Sequence, residues 1–235
     1  MNKVLSVVAM CALLCPIVLT HADDKAKAPA GKTGDMPAMP AMSEADQKAM
    51  KEKYAQAGKP GPMHEWMRQC EGTWTTTTRE MGMDGKWTES KGECVNTMIH
   101  GGRFMEINFK GESQSQPYLG RGVMGYNNVD KRFESVWYDS MSSSIMVLNG
   151  EADKDGKVLT LKGKFTDPAD GQIKDFREVM TIESKDRHHS DFYMGMPGPD
   201  GKPMEMKIME ITYTKGKAAD AKSEKAIEKI EKKKN

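Results

Sequence analysis

The sequence predicts an all-β protein, an antiparallel up-and-down β-barrel of about ten strands preceded by short N-terminal helices. Between Gly72 and Tyr213, short segments alternate apolar and polar residues, as strands with one buried and one solvated face do. Nearly every gap between these segments contains Gly, Pro, Asp or Asn, the residues that tight turns need. A long antiparallel meander hides its two edges by closing, so we expect a barrel.

Residues 1–22 are typical of a secretory signal peptide. Lys3 supplies a positive charge, an apolar run covers residues 4–19, and small residues precede a cleavage site after Ala22. Lipoprotein processing at Cys11 or Cys15 is disfavoured, because a bulky residue precedes each cysteine. We therefore expect a periplasmic or secreted protein after cleavage near Ala22. No later apolar run is long enough to span a membrane.

The rest of the chain divides by composition into four segments. Residues 23–42 are a linker rich in Met, Pro and Ala, and residues 43–59 are predicted to form a helix that Ser43 caps. The barrel domain is expected at 60–214, beginning with a second short helix at about 63–70. Residues 215–235 form a tail rich in Lys and Glu. The net charge of +1 gives no indication of a nucleic-acid partner, and the sequence indicates no oligomeric state.

The strands are placed by their alternation. Met105, Ile107 and Phe109 share one face of a strand, for example, while polar residues lie between them. The predicted strands are 72–80, 86–99, 103–111, 118–126, 132–140, 144–150, 157–166, 172–183, 187–195 and 203–213.

Cys70 and Cys94 are the two cysteines that follow the predicted signal peptide. An even number of cysteines in an oxidising compartment favours a disulfide. Pairing about the Asp84-Gly85 turn places Cys94 opposite the start of the first strand, close to Cys70. The alternative is two separate buried thiols.

Several blocks of sequence resemble one known family. These are residues 60–66, 70–74, 99–104, 122–126 and 136–141, which include Gly72-Thr73-Trp74 and Trp137-Tyr138-Asp139. Together they resemble the DUF1579 family, a bacterial family of unknown function. The resemblance implies a lipocalin-like (calycin) barrel and no particular activity. The Gly-x-Trp triplet also resembles the lipocalin signature, whose Trp closes one end of that barrel.

Four residues are candidates for binding a ligand inside the barrel. Arg103 and Asp139 are charged residues at inward-alternating positions, where a polar group could orient a ligand. Tyr126 and Trp137 could line the cavity. The alternatives are a strand-end salt bridge, a turn contact or an Arg103–Asp139 pair for the charged residues, and core packing for the aromatic ones.

Catalytic and cofactor motifs are absent from the sequence, which predicts no cofactor. There is no nucleophile elbow, P-loop or dinucleotide fingerprint. His188 and His189 are adjacent, so they point to opposite faces of a strand and cannot share a metal ion directly. The missing motifs favour a non-catalytic role and leave open whether the protein is an enzyme.

Methionine is unusually frequent, with 21 residues. Met36, Met39 and Met42 recur in the linker, and thioethers are soft ligands that suit Cu(I). The alternative is a flexible linker, with the other methionines filling an adaptable core.

Three functions follow, in order of preference. The first is non-catalytic binding of a small apolar or amphipathic ligand inside the barrel. The second is a Met-rich module that handles copper, and the third is an enzyme of unknown reaction.

Overall fold

The computed structural model describes residues 42–198 and 202–216. The predicted signal peptide, nearly all of the linker and nearly all of the charged tail lie outside the described residues. The elements are α1 (Glu44–Ala57), α2 (Pro62–Arg68), β1 (Gly72–Met81), β2 (Trp87–Ile99), β3 (Phe104–Ser113), β4 (Gln116–Asn127), β5 (Arg132–Asp139), β6 (Met146–Ala152), β7 (Val158–Thr166), β8 (Ile173–Ser184), β9 (Arg187–Pro197) and β10 (Pro203–Lys215).

The ten strands form a closed antiparallel barrel, which confirms the predicted fold class. Each strand pairs with its neighbour in sequence, and β10 pairs with β1 to close the sheet. Because the sheet closes, no strand in it is left with an unpaired edge that could recruit another chain. Among the described residues, no helix has the length and hydropathy that crossing a membrane requires.

The alternation in sequence becomes an inside and an outside in the barrel. Along β5, Phe133, Ser135 and Trp137 face inward, while Val136 and Tyr138 are exposed. The hairpin turns use glycine where the backbone needs a positive φ, as at Gly85 with φ of 75°.

Helix α2 closes one end of the barrel. Trp66 and Met67 are buried, and the Trp66 indole nitrogen donates a 2.6 Å hydrogen bond to the Gly156 carbonyl in the β6–β7 turn. The Trp66 ring also lies 5.1 Å from the ring of Phe133. We call this end the capped end.

Helix α1 contributes nothing to the core, since none of its residues is buried. The Ser43 hydroxyl accepts a hydrogen bond from the Asp46 amide, which caps its first turn. Its other end is tied to the barrel through the Asn128 side chain, which donates to the carbonyls of Ala57 and Lys59 at 2.9 and 2.8 Å.

The interior contains two hydrophobic clusters. The larger lies under α2 and includes Trp66, Met67, Cys70, Met105, Met124, Phe133, Leu148, Leu159, Leu161, Phe176 and Met180. The smaller consists of Trp74, Cys94, Phe109 and Ile211. Residues of both clusters border one internal chamber, described next.

Candidate functional site

An internal chamber of about 50 Å³ lies inside the barrel. Eight of the ten strands contribute to its wall, because inward residues of neighbouring strands stand side by side around a barrel. The wall consists of Cys70, Cys94, Asn96, Met105, Ile107, Met124, Ser135, Leu159, Leu161, Glu178, Met180, His188, Ser190 and Tyr213. A chamber of this volume has room for about three to five water molecules.

A carboxyl group stands on this wall, between apolar neighbours. Glu178 points inward from β8 between Phe176 and Met180. The Ser190 hydroxyl donates a hydrogen bond to it at 2.9 Å. Burial raises the pKa of Glu178 above its ordinary value of 4.5, and the bond from Ser190 opposes part of that shift. The uncharged acid is therefore the form that this environment favours.

His188 is the second polar group on the wall. Its ring stacks on Tyr213 at 4.3 Å and meets the edge of Trp74 at 4.3 Å. His188 is only 3% exposed, and its ring is held between these two aromatic side chains. Burial lowers its pKa from 6.5 to about 4, and the positive charge of Lys215 adds to the effect. The imidazole is therefore neutral at neutral pH.

Cys70 and Cys94 also border the chamber. The structure contains both as free, buried thiols, so the predicted disulfide is absent from it. The predicted position of Cys94 opposite the start of the first strand is confirmed, since Cys94 pairs with Trp74. The amide of Asn96 lies between the two cysteines, since it accepts from the Cys94 thiol at 3.3 Å and donates to the Cys70 carbonyl at 2.8 Å. This bridge occupies the Cys94 thiol in a hydrogen bond.

The same wall is rich in sulfur and can change shape. Met105, Met124 and Met180 join the two cysteines there. Methionine side chains are unbranched and have three rotatable bonds, so they adapt to irregular spaces. The chamber can therefore enlarge around a ligand more readily than one walled by branched side chains.

The protonation states favour binding over covalent chemistry. Burial raises the pKa of each thiol to about 12. A nucleophilic cysteine needs the opposite shift, because the thiolate is the reactive form. The chamber thus presents neutral donors and acceptors to whatever enters it.

Two of the predicted binding residues lie towards the other end of the barrel. The Trp137 indole packs over Gly120, where an added Cβ would lie 2.1 Å from the ring. Its nitrogen donates to the Tyr118 hydroxyl at 3.1 Å, and that hydroxyl donates to Asp139 at 3.2 Å. Asp139 also accepts the backbone amide of Met141 at 2.9 Å. These contacts fill the barrel interior at this end and stabilise the turn after β5.

The other two predicted binding residues lie at the capped end. Arg103 is exposed in the β2–β3 turn and donates to the carbonyls of Gly58 and His100 at 2.7 and 2.9 Å. Tyr126 packs against Phe133, with ring centroids 5.0 Å apart. Six residues of β4 separate the level of Tyr126 from that of Asp139, a distance of about 20 Å along a strand. The structure thus separates the four residues into two pairs, and Arg103 and Asp139 do not pair.

The second predicted function was copper binding by the methionines of the linker. Met36 and Met39 lie outside the described residues, and Met42 is 43% exposed at their edge. Across residues 42–198 and 202–216, no three side chains of His, Cys, Asp or Glu are arranged to hold a metal ion.

Glu178 and Ser190 are not among the residues predicted from the sequence, and His188 was considered there only as a metal ligand beside His189. A signal for Glu178 was present, because this carboxylate alternates with Phe176 and Met180 on the inward side of one strand. His189, on the opposite face of β9, binds the exposed carboxylate of Glu183 at 2.8 Å. The two adjacent histidines therefore do point apart, as their spacing predicted.

Solved structures similar to this chain at low sequence identity include the following two. Rv2717c from M. tuberculosis matches with a TM-score of 0.50 and 15% identity, over 68% of this chain and all of that one. The S-type phycobiliprotein lyase CPES from Guillardia theta matches with a TM-score of 0.46 and 12% identity, over 69% of this chain and 96% of that one. At these identities the likeness to Rv2717c concerns the fold alone.

No protein of curated function matches the sequence. The sequence profile of a family described as "Protein of unknown function (DUF1579)" matches residues 59–215, which include α2 and the whole barrel. The chain therefore belongs to the DUF1579 family.

Proposed function

We propose that this protein is a non-catalytic binding protein whose small ligand sits in the internal chamber. The observation that supports this most is the polar wall inside an otherwise apolar core, made by Glu178, Ser190 and His188. Polar groups inside a core cost free energy unless they are bonded. Ser190 is bonded to Glu178, and both side chains border the chamber together with the imidazole of His188. A small polar ligand in the chamber would bond to these groups.

The chamber limits the size of the ligand. Typical ligand pockets measure roughly 300–1,000 Å³, whereas this chamber measures about 50 Å³. The ligand is therefore an ion or a molecule of a few atoms. The sequence predicted an apolar or amphipathic ligand. Only the polar end of such a ligand fits this chamber, and its apolar body would have to displace methionine side chains such as Met105 and Met124.

Because residues 1–22 are typical of a signal peptide, we also propose that binding takes place outside the cytoplasm, in the periplasm or after secretion. Fractionation of the source cells, with sequencing of the mature N-terminus, tests this part. The mature chain is expected to begin near Asp23.

Native mass spectrometry tests the binding proposal, using protein purified from its source without unfolding. The informative variant is Ser135→Leu, because Ser135 lines the chamber and a leucine there would fill part of it. Val136→Leu is the matched control, since Val136 is the next residue on β5 and faces outward. We expect a bound species in the wild type and in Val136→Leu, and its loss from Ser135→Leu. The same added mass from a bound species in all three proteins, or no bound species in the wild type, would refute the proposal.

A further inference from the structure

One acidic group stands on the chamber wall without a basic residue beside it there. Among the described residues that border the chamber, Glu178 is the single carboxylic acid, and none is a lysine or an arginine. The Ser190 hydroxyl donates to its Oε1 atom at 2.9 Å. A carboxylate removed from water needs a positive partner or several donors. A cation that enters the chamber would therefore find its counter-charge in Glu178.

Apolar side chains surround this carboxyl group. The strand register pairs Glu178 with Leu161 of β7 on one side and with Phe192 of β9 on the other. Phe176 and Met180 are its inward neighbours along β8. A metal ion fits such surroundings poorly, since hard cations require several oxygen ligands and the described residues hold no group of three His, Cys, Asp or Glu suited to a metal. An alkyl group is stabilised by the same neighbours, so they favour an organic cation.

Several donors of the wall are engaged with the protein itself. The Ser190 hydroxyl donates to Glu178. The Cys94 thiol donates to the Asn96 side chain at 3.3 Å, and the Asn96 amide donates to the Cys70 carbonyl at 2.8 Å. Within the described residues, the bond from Ser190 engages Oε1 of Glu178, which leaves Oε2 as an acceptor for a ligand. A ligand with N–H donors suits this acceptor, and an ammonium group has such donors as well as a positive charge.

We propose that the chamber binds a small protonated amine, whose ammonium group pairs with the Glu178 carboxylate and whose short alkyl group packs against Leu161 and Met180. This inference rests on the proposed function, since it names the ligand class of that same chamber. The volume of about 50 Å³ restricts the ligand to a few non-hydrogen atoms, the size of methylammonium or ethylammonium.

Binding releases a proton from Glu178 to solvent. An alkylammonium, like the lysine side chain, is protonated at neutral pH, whereas burial raises the pKa of Glu178 and favours its uncharged form. The amine keeps its proton on entering, the O–H bond of Glu178 breaks, and that proton passes to solvent. The bound state is an ion pair, and no other bond forms or breaks.

The other titratable groups on the wall keep their protonation state near pH 6. Burial raises the pKa of the Cys70 and Cys94 thiols to about 12 and that of Tyr213 well above its ordinary value of 10.0. Burial lowers the pKa of His188 to about 4. The wall residues of β3, β4, β5 and β7 do not titrate. A proton released on binding at about pH 6 therefore comes from Glu178.

The test is isothermal titration calorimetry of the full mature chain with methylammonium chloride at about pH 6, in two buffers whose ionisation enthalpies differ. The difference between the two heats gives the number of protons released. We expect one methylammonium bound per chain and the release of about one proton. Acetate has about the same size and the opposite charge. We expect it not to bind, because it would place a second acid beside Glu178.

Glu178→Gln distinguishes an ion pair from simple filling of the chamber. It keeps an acceptor for Ser190 and removes the negative charge, so binding should weaken by more than about a hundredfold. Glu89→Gln, at an exposed position, is the matched control and should bind as the wild type does. Ser190→Ala keeps the charge and removes one donor to it, and we expect binding about tenfold weaker.

Three results would overturn the inference: no methylammonium bound by the wild type, equal binding by Glu178→Gln, or binding without release of a proton. With any of these, a species that native mass spectrometry finds in the wild type, and loses in Ser135→Leu, would leave the proposed function intact. The absence of both bound methylammonium and such a species would refute both proposals.

Discussion

Cys70 and Cys94 stand on the wall of one chamber as separate thiols, and burial raises the pKa of each to about 12. The ordinary pKa of a cysteine thiol is 9.0. At a given pH below 9, the thiolate fraction is therefore lower by roughly a thousandfold, one factor of ten for each pKa unit.

This pair gives the first prediction, which concerns thiol chemistry. Native protein should react with a thiol reagent at least about a thousandfold more slowly than unfolded protein, because the thiolate is the reacting form. Unfolded protein prepared without reductant should titrate two thiols. If that sample contains no reactive thiol, Cys70 and Cys94 form the disulfide that the number of cysteines favoured.

The second prediction concerns Glu178 and pH. Its folded-state pKa lies above the unfolded value, so its contribution to stability is complete below about pH 4.5 and is lost as pH rises through the folded-state pKa. Glu178→Gln keeps an acceptor for Ser190 and removes the ionisation. Urea unfolding across pH should therefore show the variant gaining stability over the wild type as pH rises.

The exposed residue Glu89 supplies the control for that series. Glu89→Gln should show the same pH dependence as the wild type. If Glu178→Gln also ran parallel to the wild type from pH 4 to pH 9, the carboxyl of Glu178 would be in contact with bulk solvent.

The third prediction concerns two threonines inside the barrel. The hydroxyls of Thr76 and Thr78 are buried and have no hydrogen-bond partner within the described residues. Valine has nearly the same shape and no group to leave unbonded, so each Thr→Val change should raise the free energy of unfolding by about 1 kcal/mol. Thr75 faces outward on the same strand, and Thr75→Val controls for strand propensity. Equal gains at all three positions would show that burial of the hydroxyl is not the cause.

The fourth prediction concerns the close approach of Trp137 to Gly120. A methyl group at position 120 would lie 2.1 Å from the indole, so the ring must move and break its hydrogen bond to Tyr118. Gly120→Ala should therefore lower the free energy of unfolding by about 1–3 kcal/mol, as overpacking does. Gly61→Ala, where the added methyl meets nothing within 4 Å, should be nearly neutral. A neutral Gly120→Ala in thermal unfolding would mean that Trp137 does not occupy this position.

The fifth prediction concerns Arg103, the sequence-based candidate for ligand contact. The structure places it outside the barrel, on the carbonyls of Gly58 and His100. Arg103→Met should thus leave ligand binding unchanged and should loosen only the segment between α1 and α2. Hydrogen exchange of residues 58–61 is the measurement, and loss of binding in this variant would place the ligand site elsewhere.

The sequence was sufficient for the barrel because strand periodicity is a local property. Inward and outward faces follow from alternation within one segment, as Phe133, Ser135 and Trp137 show. Turn glycines such as Gly85 separated the strands. The expected count of ten strands and their antiparallel order are both confirmed.

The chamber could not be predicted in the same way, because it depends on how strands are staggered around the closed sheet. Glu178 and Ser190 come from neighbouring strands, but Cys94 and Ser135 join them from far away in sequence. The alternation of inward and outward side chains also does not extend beyond the end of a strand. Arg103 is two residues before Met105, so alternation predicted that it faces inward. It lies instead in a turn that begins with positive φ at His100 and Gly101, and this turn directs its side chain outward.

The central claim, that the chamber holds a ligand, is tested most directly by a crystal structure of the protein purified from its source without unfolding. The resolution must distinguish ordered water, because water is the rival occupant of a polar chamber of about 50 Å³. The account predicts density for a species other than water, in contact with Glu178, Ser190 or His188 on the chamber wall. Ordered water alone, bridging Glu178, Ser190 and Tyr213, would contradict it.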